Sequence, residues 1–313
     1  MSPRVALVTG IAGGLAREVG AALVKRGFAV VGVDYRPLPH PLDYPVEVYR
    51  ANYNKTKVED IFRRHQPELT LHLGRVGNLK ERMGKRFDLN VVGSRKVMDL
   101  AVKYGTRRLI VLSTFHIYGA HPHNHVPISE DDPVRAGTAF PQIADAIQLD
   151  SQALMWIYKH PTMRTVLLRP CNVVGPRVQN AMSTFLRQPI IPYMLGFNPM
   201  TQFIHVDDLC AAVLKATEGE ASGVFNVAGA GAIPWREALA VTGARQVPVP
   251  SSLAFAYLSV ARRLGPGIPP YLVNFFKYPC IVSDAAFRQG FGWEPRVGAE
   301  AAIHSTVTGE PVG

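Results

Sequence analysis

The sequence predicts an α/β chain: a doubly wound parallel sheet with a smaller, interleaved C-terminal unit. Three observations predict it. RVALVT (4–9) is a short apolar run closed by glycines. Further apolar runs then alternate with helical stretches. After Pro170 the periodicity fades. Short, continuously apolar strands separated by helices are buried on both faces, which a parallel sheet requires.

The elements follow in order. A glycine turn succeeds residues 4–9, then a helix runs to about Arg26 and stops at Gly27. AVVGVD (29–34), VEVYRA (46–51), LTLHL (69–73), RRLIVLS (107–113) and TVLLRP (165–170) are the next strands. Helices are expected over about 55–65, 84–104 and 143–160. Residues 176–200 are rich in Pro, Met and Phe. FIHVDDLCAAVLKAT (203–217) then restores a strand and helix, and GVFNVAG (223–229) a strand. The first unit is therefore expected over 1–176 with 203–230 returning to it. Residues 177–202 and 231–313 make the second unit.

With 313 residues, 47% apolar and 19% charged, the chain can bury a sizeable core and is not a disordered type. Its three cysteines, Cys171, Cys210 and Cys280, form no CxxC pair, which points to a reducing, cytoplasmic setting and no zinc ribbon. The net charge of +10 is spread over short groups such as Lys80 to Arg86, without a basic arm or stripe. Nucleic acid is therefore not an expected partner. No apolar run reaches the ~18 residues that span a bilayer. The apolar start resembles a signal peptide but reads better as a strand and turn. Residues 252–276 read as apolar packing or a dimer contact in preference to a membrane-surface segment.

The strongest motif is Thr9-Gly10-Ile11-Ala12-Gly13-Gly14-Leu15-Ala16, a G-x-x-G-x-x-A turn between strand and helix. Gly10 permits the turn, Gly13 lets amides approach a pyrophosphate, and Ala16 lets the helix pack closely. Asp34 ends the second strand, 24 residues after Gly10, and suits the adenosine ribose hydroxyls of NAD. Arg36 could instead serve a 2′-phosphate, which keeps NADP as the less favoured alternative.

These and later motifs resemble the extended short-chain dehydrogenases/reductases, the NAD-dependent epimerase/dehydratase family with a Rossmann domain. LHLG (71–74), Asn90 in LNVVGS, STFHIYG (113–119), LLRPCNVVGP (167–176), FIHVDDL (203–209) and FGWEP (291–295) carry the resemblance. It implies a coenzyme set of Gly10, Ala12, Gly13, Leu15, Asp34, Tyr35, Arg36, Asn52, Leu73, Gly74, Asn90, Ser113, Arg169 and Pro170. It also implies a substrate contact at Asn172. Asn52 would lie near the adenine and the 170s segment near the nicotinamide. The implied substrate is a small molecule, nucleotide-linked in many relatives, and a homodimer is in keeping with the family.

The catalytic pattern departs from that family. A Tyr-x3-Lys pair should follow, with the Lys lowering the Tyr pKa. Gln142 stands at the Tyr position and Ala146 at the Lys position. The chain's one Tyr-x3-Lys, Tyr53 to Lys57, falls too early in the order. Thr114 fits the hydroxyl role, and His116 is a candidate base. Asp145 is a second candidate base, but it reads rather as a helix-surface or first-turn carboxylate, Tyr118 as a packing residue and Asn90 as a backbone bridge. His121, His123 and His125 read as a surface loop, with no metal expected. Thr201 stands where the family places a substrate-phosphate Arg.

Two functions remain open on these residues. One is an oxidoreductase or epimerase with non-standard acid/base groups. The other is an inactive NAD(H)-binding sensor or partner-binding protein.

Overall fold

A computed structural model describes residues 4–77, 81–251 and 272–312. The first six strands are β1 (Arg4–Thr9), β2 (Phe28–Asp34), β3 (Val46–Arg50), β4 (Leu69–His72), β5 (Arg108–Leu112) and β6 (Arg164–Pro170). The chain then leaves the sheet through β7 (Asn172–Val174), β8 (Ile190–Met194), β9 (Met200–Thr201) and β10 (Phe203–His205). It returns as β11 (Gly223–Val227) before β12 (Ile233–Pro234) and β13 (Arg245–Val249). The central sheet has seven strands in the order β11-β6-β5-β4-β1-β2-β3, all parallel. The order reverses between β1 and β4, so a crevice opens at their C-terminal ends.

Strand alternation assigns each face. Ala6 and Val8 join Val19, Leu23, Leu209 and Val213 on one side. Leu7 joins Val58, Phe62, Val97, Leu149 and Trp156 on the other. The first side is covered by α1 (Gly14–Lys25). The second is covered by α2 (Thr56–His65), by α4 (Ser94–Lys103), which follows the short α3 (Met83–Phe87), and, past α5 (Ala136–Ala139), by α6 (Ala144–Lys159). After α7 (Ala181–Leu186), α8 (Val206–Ala216) packs on α1, and β11 joins the central sheet beside β6. A separate core under α9 (Trp235–Val241) stacks Trp235 on Phe276 at 4.8 Å and on Phe185 at 6.0 Å.

The helix expected over 84–104 is interrupted. A π-helical turn, Asp88–Gly93, separates α3 from α4. Such turns widen the helix locally and often mark sites. The weakly periodic 176–200 stretch yields β8, which pairs with β13 in parallel. Most of the 252–276 segment lies outside the described residues. Among the described residues, no helix is long and apolar enough to cross a membrane.

Candidate active site

The glycine turn closes β1 onto α1. Gly10 has φ +78°, a left-handed value that glycine adopts at little cost. A Cβ there would fall 2.6 Å from the Gly74 Cα. Gly13 N–H donates to the Gly10 carbonyl at 2.8 Å and caps α1 without any side-chain acceptor. No acidic residue occupies the first turn of α1. Its opening amides thus have neither an intrahelical acceptor nor a competing anion, and they fit a pyrophosphate. Leu15 is partly buried against the core beneath.

Asp34 is 2% exposed at the end of β2. Its Oδ2 accepts from Ala12 N at 3.0 Å and Arg36 Nη2 at 3.2 Å. Its Oδ1 accepts from Arg36 N at 2.9 Å and Arg36 Nε at 3.2 Å. Tyr35 lies beside the fork, with Arg36 5.6 Å and Lys85 5.7 Å from its ring centre. Asn52 donates to Asp88 at 3.2 Å.

Leu73 and Gly74 form the crevice wall after β4. A Cβ at Gly74 would lie 2.2 Å from the Tyr53 hydroxyl oxygen and 2.8 Å from its Cζ. The phenol thus fills the volume a side chain at 74 would need. Tyr53 is buried, whereas Lys57 donates to the Arg50 carbonyl at an exposed site, so this Tyr-x3-Lys is not a catalytic pair.

Thr114, the candidate for the hydroxyl role, lies two residues past the end of β5. Thr114 Oγ1 lies 2.8 Å from His116 Nδ1 and accepts the His116 backbone N–H at 3.4 Å. The hydroxyl proton is therefore best directed to Nδ1, which leaves hydrogen on Nε2. His116 as a residue is half-buried, and its Nε2 is shut off from water. Burial, with a smaller contribution from Arg75, pushes the imidazole down to about 3, so the ring is neutral.

Gln142 presents its carbonyl to Arg86 Nη2 at 2.8 Å. Its side-chain Oε1 is buried without a hydrogen-bond partner. Ala146 packs in the apolar cluster of Phe140 and Ile143. Asn172 begins β7. Its Nδ2 donates to the Gln202 carbonyl at 2.9 Å, while Oδ1 is buried and unpartnered.

Three sequence readings need correction. Asp145 is not a surface carboxylate: it is fully buried. One of its oxygens pairs with Arg86 Nη2 and the other accepts from Asn90 Nδ2 at 2.6 Å. Both oxygens are thereby held, and Asp145 offers no base. Tyr118 is more than packing. Its hydroxyl donates to Asn226 at 2.9 Å and accepts from Arg169 Nη1 at 2.8 Å. The side chains of Ser113 and Arg169 are already engaged within the protein. Ser113 donates to Asp150 at 2.6 Å, and Arg169 forks onto Asp150 at 2.7 and 3.0 Å. Those side chains tie α6 to the ends of β5 and β6. Asn90 bridges the Val76 backbone at both N–H (2.8 Å) and carbonyl (3.0 Å).

Arg86 escaped the sequence reading. The available signal was its spacing: four residues before Asn90, it shares a helical face with it. Among the described residues, no group of three or more His, Cys, Asp or Glu, the 121–125 histidines included, is placed to hold a metal.

A doubly wound sheet, an open glycine turn at its switch point and a hydroxyl–imidazole pair at the next strand end define a dinucleotide-dependent enzyme. The chain belongs to the NAD dependent epimerase/dehydratase family, whose model matches residues 6–228. An uncharacterized protein of Mycobacterium tuberculosis is 26% identical over 270 residues, covering 83% of this chain and 71% of that one. A UDP-glucuronate 4-epimerase of Thermodesulfobacterium geofontis is 23% identical over 333 residues, covering 96% and 94%. In fold, the chain is similar to WbmG of Bordetella bronchiseptica, solved with NAD and UDP (TM-score 0.76, 20% identity, 97% and 93% covered). It is equally similar to the NAD complex of Thermus thermophilus UDP-glucose 4-epimerase (TM-score 0.76, 21% identity, 97% and 98% covered).

Proposed function

We propose that the chain oxidises or epimerises a hydroxyl-bearing carbon of a small, nucleotide-linked substrate, with Thr114 and His116 replacing the missing Tyr and Lys. The observation that carries this reading is the 2.8 Å Thr114–His116 hydrogen bond beside an intact glycine turn. Gly10, Gly13 and the first turn of α1 would hold the pyrophosphate, and Asp34 the adenosine ribose. When bound, NAD supplies the two-electron acceptor.

The protein's own residues handle the proton. A substrate hydroxyl over Thr114 passes its proton to Oγ1 as Thr114 passes its own to His116 Nδ1. The imidazole is unprotonated at any ordinary pH, although the burial that lowers it to about 3 also makes it a weak base. Asn172 Oδ1 and Gln142 Oε1 are buried acceptors without a protein partner, which a substrate donor would satisfy.

The UDP-sugar relatives make UDP-glucose and UDP-glucuronate the first substrates to try. Incubation with NAD+ should give NADH absorbance or an epimer by chromatography. His116→Ala should lower turnover about 10²–10⁴-fold, the usual range for a lost general base. Undiminished turnover in that variant would remove the relay.

Gln142 and Ala146, which cannot titrate, favour the competing reading as a sensor. Tight NADH binding with no conversion across the panel would select it.

Assembly and location belong to the same reading. Exposed Met83, Phe87, Val92, Met155 and Tyr158 lie on α3, the π turn and α6. They would be covered by a second copy, and light scattering should report a dimer. Three unpaired cysteines, two of them fully buried, suit a reducing cytoplasm.

A further inference from the structure

We infer that Phe275 is a positioning residue for the proton relay: it holds the His116 imidazole in the orientation that meets Thr114 and completes its shelter from water. This rests on the relay reading of Thr114 and His116.

The two rings are distant in sequence and meet only through the fold. Phe275 closes a short helix, α10 (Leu272–Phe275). Its neighbour Phe276 is buried in the aromatic core under α9, 4.8 Å from Trp235 and 5.2 Å from Phe185. That stack anchors the end of α10. Phe275 itself packs against both this core and the one beneath α1, and so bridges them.

There it meets the turn that carries His116. The Phe275 ring centre lies 5.6 Å from Phe115 and 5.0 Å from His116, with 69° between the planes in each pair. Phe115 in turn lies 4.4 Å from His116. The imidazole is thus bounded by two benzene rings while its Nδ1 lies 2.8 Å from the Thr114 hydroxyl. Ring contacts of this kind have a preferred geometry. Turning the imidazole away from Thr114 would press it on one ring or lose the other.

Phe115 is a fixed wall, 1% exposed and adjacent to His116 in the chain. Phe275 is the separable one, partly buried and brought in by a remote segment. Among the described residues, the charge that bears on His116 is that of Arg75, after β4, and it acts with burial in disfavouring a proton. Removing the Phe275 ring leaves Arg75, Thr114 and Phe115 in place and admits water to the imidazole. The ring should then titrate closer to its ordinary range.

Histidine NMR of the full chain, from about pH 8 down to about pH 5, tests this. In the unmodified chain the His116 ring should stay neutral throughout, as its value of about 3 requires. In Phe275→Ala its midpoint should rise by about 1–2 pH units, which brings protonation into the window. Phe275→Leu keeps an apolar cover and should stay within about half a pH unit of the unmodified chain. His72, buried between Thr9 and Ser94, is the control. A Phe275→Ala variant in which His116 does not move overturns the inference. So does one in which His72 moves as far as His116, because the whole fold would then have loosened. Turnover supplies the second arm: its acid limb in Phe275→Ala should follow the His116 midpoint upward. An acid limb that ignores a moved midpoint supports the contact and overturns the relay reading beneath it.

Discussion

Asp145→Ala should cost about 3–5 kcal/mol of unfolding free energy, the range for stranding one half of a buried ion pair. Asp145 and Arg86 are both almost wholly buried, with side chains 1% and 4% exposed. The substitution leaves the guanidinium without its counterion and Asn90 without one acceptor. Arg86 would retain only the Gln142 carbonyl. The remedy is specific. Adding Arg86→Met removes the uncompensated charge, so the double variant should recover most of the loss. Urea unfolding of the two singles and the double reads this directly. A single-variant loss below ~1 kcal/mol would mean the pair behaves like a solvated surface ion pair, and the buried assignment would fail. The effect should also reach the crevice, because Asp145 lies on the first turn of α6 between Gln142 and Ala146.

The second large effect is acid sensitivity. His72 is fully buried between Thr9 Oγ1 (2.8 Å) and Ser94 Oγ (2.7 Å), and burial lowers it to about 4. His116 is lowered to about 3. Both folded values lie below the ~6.5 of an unfolded histidine. The unfolded chain therefore binds more protons once the pH falls below ~6.5. Stability is complete above that value and drains away towards about 4 and about 3. Each ring contributes up to ~1.4 kcal/mol per pH unit. Discounting His116, a half-buried residue, for solvent screening, the two remove on the order of 3–5 kcal/mol between pH 6.5 and 4.5. Glu130, raised by burial, works weakly in the opposite direction. The urea midpoint should fall steeply over that window, and His72→Gln should flatten the slope. A midpoint constant from pH 7 to 5 would show that neither ring is held neutral by the fold.

Much of this architecture was legible along the chain. The β1 run, the glycine turn and Asp34 announce themselves through local spacing, because strand, turn and helix start are contiguous. The alternation of strands and helices likewise fixes a parallel sheet. What resisted reading is side-chain partnership across the fold. Asp145 looked like an ordinary first-turn carboxylate, since nothing near it in sequence reveals Arg86, 59 residues away. Arg169 looked available to a ligand until Asp150 and Tyr118 occupied it. Asp34 looked open because periodicity cannot say that Arg36 folds back on it. The π turn was hidden as well: its sequence, DLNVVG, continues a helical pattern, and the extra residue shows only in the backbone.

The phenol of Tyr53 standing in the empty place beside Gly74 has a consequence for how this crevice can change over generations. The two positions form one unit of inheritance. A larger residue at 74 meets the ring unless position 53 has already shrunk, so the order of the two steps is constrained. A lineage that first shortens Tyr53 clears the ring, but a Cβ at position 74 still meets the Gly10 backbone nitrogen at 2.9 Å. One that first enlarges Gly74 has no open route.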